Sequence, residues 1–164
     1  MTAPFVISRV FDAPRDRVWK SWTEAERLKQ WWGPKGFTVT HCKLGLRPGG
    51  IMHYCLRTPD GNEVWGKFVY REIAKPERLV FVNSFSDPKG GVTRHPWHAS
   101  WPLEMLTTVT FEAQGNKTKL AVQWALFDTT TELERKTFDE GRDSMKTGWT
   151  GTMDQFAAYL GQAK

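Results

Sequence analysis

From residue 36 to residue 127 the chain reads as one strand after another, and then its period changes to that of a helix. The candidate strands are 37–46, 50–57, 64–74, 78–86, 104–113 and 118–127. Turn-forming clusters punctuate them: Arg47-Pro48-Gly49-Gly50, Pro59-Asp60-Gly61-Asn62, Lys75-Pro76-Glu77 and Gln114-Gly115-Asn116. Consecutive strands joined by short turns form an antiparallel meander. Beyond it, Phe138, Met145, Trp149, Met153, Phe156 and Leu160 recur at helical spacing and make one apolar face. Thr131 and Glu134 supply a capping box at its start. Gly141, Gly148 and Gly151 each cost about 1 kcal/mol relative to Ala inside a helix. They predict a break near 141 or a close approach of backbone to another element.

Ahead of the meander, PFVISRVF at 4–11 reads as a strand. Asp12 can cap a helix whose first turn holds Pro14, with Val18, Trp19 and Trp22 on one face. Thr23 and Glu26 form a second capping box, Leu28, Trp31 and Trp32 an apolar stripe, and Gly33-Pro34 a stop. The element order is βααββββββα. It predicts an α+β fold in which a curved antiparallel β-sheet wraps a long C-terminal helix, with two short helices after the first strand. Period-2 alternation turns Met52, Tyr54 and Leu56 inward, with His53 and Arg57 outward. It groups Met105, Thr107, Val109 and Phe111 on one inward face, and Leu120, Val122, Trp124 and Leu126 on another. At 164 residues the chain is expected to be one domain, 1–164, long enough to bury a full core.

No apolar run approaches the roughly 20 residues a membrane helix needs. The N-terminus lacks the basic start and long apolar stretch of a leader, so a cytoplasmic location is expected and no membrane partner. The net charge is +5, but acids are interspersed among the bases and no nucleic-acid motif occurs, so no nucleic-acid partner is expected. The nine tryptophans are the outlier. Either the core is very aromatic, or rings line a cavity.

Four segments carry a family resemblance: FDAPRDRVWKSWTEAERLKQWWGP, LRPGG, PERLVF and GWTGTMDQFAAYL, in that order. Together they resemble the SRPBCC superfamily and, within it, bacterial proteins related to the C-terminal domain of the activator of the heat-shock-protein-90 ATPase. The resemblance spans about residues 5–161. It implies a helix-grip fold and a cavity for a small apolar ligand. It does not imply one activity, because the superfamily includes carriers, polyketide cyclases and aromatases, resistance proteins and co-chaperone domains.

A sheet gripping a helix needs something to line the space between them. The candidate lining is Trp31, Met52, Tyr54, Leu56, Trp65, Phe81, Asn83, His95, Val109, Trp124, Met145, Trp149 and Met153, with Asn83 beside Phe81 to orient a polar end. The segment Ser86 to Pro102 has no strand or helix pattern and holds Arg94, His95, Trp97, His98 and Trp101, which suits a lid. Arg94 and His95 could meet a ligand's carboxylate or phenolate at the cavity mouth. The His95-x-x-His98 spacing supplies two ligands where a zinc site needs three or more, and neither a cofactor nor a metal is expected. No nucleophile elbow or phosphate loop occurs, and no catalytic residue is assigned. If the 47–50 turn pairs Leu46 with Ile51, Cys42 faces Cys55 across two strands; in a reducing compartment both stay thiols.

The leading expectation is therefore binding of a small hydrophobic or aromatic molecule, by a monomer or homodimer. A cyclase, aromatase or hydrolase using His95, His98 and Glu104 is the second reading. A module that docks on a protein partner is the third.

Overall fold

The computed structural model describes residues 2–162; Met1, Ala163 and Lys164 of the expected domain lie outside the described residues. The elements are β1 (Phe5–Phe11), α1 (Arg15–Thr23), α2 (Ala25–Leu28), β2 (Thr38–Leu44), β3 (Ile51–Arg57), β4 (Glu63–Ala74), β5 (Arg78–Ser86), β6 (Val92–Thr93), β7 (Met105–Gln114), β8 (Lys117–Leu126), α3 (Glu132–Glu140) and α4 (Arg142–Gln162). Eight antiparallel strands run in the order β1-β8-β7-β5-β4-β3-β2, with β6 paired to β5. Irregular register between Val39 and His41 and between Tyr70 and Glu72 adds local bends, as extra residues in a ladder do. The curved sheet holds α4 against its concave face, and the fold is α+β of the helix-grip kind.

Period-2 patterning gives the inner face. Met105, Thr107, Val109 and Phe111 of β7 are all buried, as are Leu120 and Val122 of β8. Phe111 meets Trp19 of α1 edge-on at 5.1 Å, and Phe11 meets Phe156 of α4 at 4.9 Å. One end of the grip is therefore packed solid by α1 and the second half of α4.

Several local expectations are corrected. Asp12 does not cap α1: Pro14 takes the N-cap position in an extended conformation, and its carbonyl accepts from Arg17 and Val18. Thr23 does not cap α2, because it is the buried last residue of α1 and its hydroxyl donates to the Trp19 carbonyl at 2.8 Å. The second helix ends at Leu28 rather than at Gly33, and Trp31 and Trp32 follow in a turn hydrogen-bonded back to Leu28. The β2–β3 register is offset by one residue: Leu44 faces Met52, Cys42 faces Tyr54 and His41 faces Cys55. A one-residue slip moves a side chain to the other face, so the two cysteines point apart and both are free. The 86–102 segment is not wholly irregular, since β6 adds two rungs to β5. The predicted helix break is present: α3 ends on Gly141 and α4 starts beside it.

Candidate functional site

At the end of the grip away from α1, a cavity of about 630 Å³ lies between the sheet and the first half of α4. Ligand pockets fall in a range of roughly 300–1,000 Å³. Its floor is strand: Tyr54 and Leu56 on β3, Val64 on β4, Asn83 and Phe85 on β5, Met105 on β7 and Trp124 on β8. Its roof is Met145, Gly148, Trp149 and Thr152 of α4. The sides are the Trp32–Phe37 turn and the loop carrying His95, Trp97, His98 and Trp101. Rings meet mostly edge to face, with Trp32 at 5.7 Å from Tyr54 and Trp149 at 5.8 Å from Trp32 and 5.7 Å from Trp124.

Of the thirteen residues expected in the lining, seven stand on this wall: Tyr54, Leu56, Asn83, His95, Trp124, Met145 and Trp149. Trp31, Met52, Phe81, Val109 and Met153 point inward but belong to the packed core. Phe81 lies stacked on Phe68 at 3.9 Å, and the Trp31 indole donates to the Ser21 carbonyl while its ring rests on Phe156 at 4.3 Å. Inward-facing is not the same as cavity-facing, because α1 fills half the grip. Trp65 is on the outer face: β3 pairs Tyr54 with Gly66, so the residue before Gly66 must face out. There it stacks on His53 at 5.0 Å.

Strand patterning gives no sign of Gly66, the residue that lets Tyr54 lie down. A Cβ at that position would sit 2.4 Å from the Tyr54 hydroxyl oxygen and 2.5 Å from Cζ. The bare backbone of β4 is thus the shelf on which the ring rests, and the hydroxyl is carried across toward β5. The missed wall residue Gly148 leaves room in another way, since a Cβ there would meet nothing within 4 Å. The oddly placed glycines of the last helix were the signal for that space. At Gly141 a Cβ would stand 3.0 Å from the Trp101 ring.

The loop is clamped rather than free. Arg94 is ion-paired with Glu134, so it is not available to a ligand carboxylate as expected. Glu134 also closes the capping box, accepting from the Thr131 backbone N–H at 2.9 Å. Burial would push the Glu134 carboxyl up; the Thr131 and Arg94 donors outweigh that and hold it below the usual range. Ser100 meets Thr137 at 2.9 Å, and Trp101 lies on Phe138 at 5.9 Å. At the near end, Lys67 donates to the Gly90 carbonyl at 2.8 Å. Trp97 projects from this frame, 60% exposed.

Polar groups on the wall are few. The Nδ1 of His95 accepts from the backbone N–H groups of Trp97 and His98 at 3.0 and 3.2 Å. That leaves Nε2 to carry the proton of the neutral ring. Burial, and secondarily the neighbouring His98, lowers the His95 pKa and favours that neutral form. Asn83 accepts through Oδ1 from the Thr107 hydroxyl, which orients the amide and leaves its N–H groups to donate. Burial pushes the Tyr54 hydroxyl up to about 12. The nearby Trp32 indole tempers that rise, yet among the described residues no acceptor meets the Trp32 Nε1–H with hydrogen-bond geometry. Glu104 is exposed and off the wall, so the set His95, His98 and Glu104 does not assemble into an acid–base pair. Among the described residues, no group of three or more His, Cys, Asp or Glu is placed to hold a metal ion.

A second, more polar cleft of about 680 Å³ lies outside, between the Glu26–Trp32 segment and the free edge of β2. Trp32 and Phe37 stand in the wall of both. No described helix is long and apolar enough to cross a membrane.

A family model described as "Activator of Hsp90 ATPase homolog 1-like protein" matches residues 12–161. No curated protein matches in sequence. Among solved structures, a protein of Mycobacterium smegmatis is similar with a TM-score of 0.76 at 23% identity, covering 97% of this chain and 91% of that one. A protein of Arthrobacter aurescens gives 0.74 at 25% identity over 97% and 86%. An AHSA1 protein of Silicibacter pomeroyi gives 0.75 at 18% identity over 99% and 100%. At such identities the likenesses concern the fold.

Proposed function

Since the chain belongs to the Activator of Hsp90 ATPase homolog 1-like family, we propose that it binds a small apolar or aromatic molecule between its sheet and α4. The observation that carries this reading is the cavity itself: about 630 Å³ walled by Trp32, Tyr54, Phe85, Trp101, Trp124 and Trp149. A protein that used those rings only as core would have closed them on one another, as it does around Phe111. Binding works by removing apolar ligand surface from water, at about 25 cal/mol per Å² before the costs of association. The clamped 86–102 loop forms one side of the site.

The enzyme reading has less support, because Glu104, its one carboxylate, is off the wall and only His95 and His98 stand together, at 4.9 Å between ring centroids. The protein-docking reading anticipates a cavity filled by side chains, and the open cavity favours the small ligand. Native mass spectrometry of gently purified protein, against its denatured mass, is the test. A discrete excess mass lost on denaturation supports the reading. Its absence, together with no effect of 1-ethylnaphthalene on the intrinsic tryptophan fluorescence, overturns it.

A further inference from the structure

The wall of the cavity carries several strong hydrogen-bond donors, beside the hydroxyls of Ser84, Ser144 and Thr152, which can donate or accept. The Trp32 Nε1–H is buried and has no partner among the described residues. The Tyr54 hydroxyl, carried over Gly66, stays protonated at any physiological pH. Asn83 accepts from Thr107 through its oxygen, which orients the amide and leaves its N–H groups to donate. His95 has spent Nδ1 on two backbone N–H groups and presents Nε2–H. Strand register gathers three of these. Tyr54, Gly66 and Phe85 lie in one row across β3, β4 and β5. Asn83 is two residues from Phe85 on the same face, and the His95 ring packs on Phe85 at 4.6 Å. The donors from β3, β5 and the loop therefore converge on the neighbourhood of Phe85.

The described lining contains no lysine or arginine, and Arg94 is held outside by Glu134. Its one carboxylate, Glu140, is 67% exposed at the side chain and faces Lys136 at 3.9 Å, which marks it as rim. A buried ligand charge of either sign would go uncompensated, and that is costly. An unpaired buried donor such as the Trp32 Nε1–H is itself unfavourable, which a nearby ligand oxygen would relieve.

We propose that the cavity selects an uncharged aromatic molecule bearing an acceptor oxygen, such as a ketone, ester or ether, read by Tyr54 O–H, Asn83 N–H and His95 Nε2–H. The inference rests on the ligand-binding reading and narrows its chemistry. Neither the ammonium nor the carboxylate counterpart of such a molecule is a fit, and an acceptor-free hydrocarbon forgoes the donors.

Four probes of nearly one shape test it at about pH 8, where His is neutral: 1-acetonaphthone, 1-ethylnaphthalene, 1-naphthoate and 1-(1-naphthyl)ethylammonium. Affinities are read by titration calorimetry or tryptophan fluorescence on the full chain. 1-Acetonaphthone is expected to bind about threefold or more tighter than 1-ethylnaphthalene, although it is the less apolar of the two, and the two ions more weakly than either. Tyr54→Phe keeps the ring and deletes the donor; it should erase most of the ketone's advantage over 1-ethylnaphthalene. Asn83→Asp should weaken the ketone and strengthen the ammonium probe. Equal or tighter binding of the hydrocarbon or of either ion by the native protein overturns the proposal, as does a ketone advantage unmoved in both variants. Binding of none of the four overturns the ligand reading beneath it as well; binding of the hydrocarbon alone overturns only the polar selection.

Discussion

Gly66→Ala is the sharpest probe of how the site is built. The added methyl would sit 2.4 Å from the Tyr54 hydroxyl oxygen, 2.5 Å from Cζ and 3.1 Å from Cε1. Carbon contacts want about 3.5–4.0 Å, so the ring must lift by about an ångström or more. It is hemmed by Trp32 at 5.7 Å and Phe68 at 5.8 Å between centroids, and the free direction is the cavity. Overpacking of this kind costs about 1–3 kcal/mol. Gly66 does not need a left-handed backbone, so alanine also brings back about 0.4–1 kcal/mol by narrowing the unfolded chain. The net expectation is about 0.5–2 kcal/mol of destabilisation, a fall in Tm of roughly 1–8 °C at this length. The assay is a double-mutant cycle by thermal or urea unfolding with Tyr54→Leu, whose shorter side chain has no atom where Cζ stands. In the Tyr54→Leu background Gly66→Ala should become neutral or stabilising. A stabilised Gly66→Ala single variant, or a cost undiminished in the Tyr54→Leu background, would refute the account of β4 as the shelf.

Three other outcomes follow from the geometry. Glu134→Gln should lower Tm by about 2–4 °C near neutral pH, through loss of roughly 1 kcal/mol of pairing with Arg94. The Glu134 carboxyl is held low when folded, so its stabilisation is present above the unfolded carboxylate range and lost as pH falls through the folded one. The gap between native and variant Tm should therefore shrink toward about pH 3, and a gap that widens there would refute the pairing. Trp149→Ala should cost about 3–5 kcal/mol in urea unfolding, because Trp149 is core as well as wall, packed on Trp22, Trp32 and Trp124. Thiol titration should count two free thiols on denaturation and react slowly in the native protein near pH 8, since burial lifts Cys42 to about 11 and also raises Cys55.

The hairpin turns were legible because their signal is local: Pro, Gly, Asn and Asp mark them wherever the chain must reverse. The Thr131–Glu134 cap was legible for the same reason. The β2–β3 register was not, because the connection is fixed by a tertiary contact. Gly49 and Gly50 exchange backbone hydrogen bonds with Tyr70 of β4, at 2.7 and 2.9 Å, and Gly45 closes onto Ile51. The face of Trp65 was ambiguous since Val64, Trp65, Phe68, Val69 and Tyr70 put apolar groups on both sides of β4. Asp12 and Thr23 misled because a cap-forming side chain caps only if the backbone beside it begins a helix, and tertiary packing put those beginnings elsewhere. As for the site, alternation says which side chains face in; only the placement of α1 says which of those meet space rather than Trp19 and Trp22.

The clamp between the loop and α3 has a consequence for rates. Arg94 to Glu134, Ser100 to Thr137 and Trp101 on Phe138 tie the cavity's outer side to a nine-residue helix. Arg142 at the joint is itself braced, against Asp139 at 2.9 Å and over the Phe138 ring at 5.0 Å. Opening that side means swinging α3 about Gly141 as one piece instead of fluttering a tip. A trapped molecule would then leave on the timescale of a helix displacement, microseconds to milliseconds or longer, and the dwell time would be tuned from residues that never touch it.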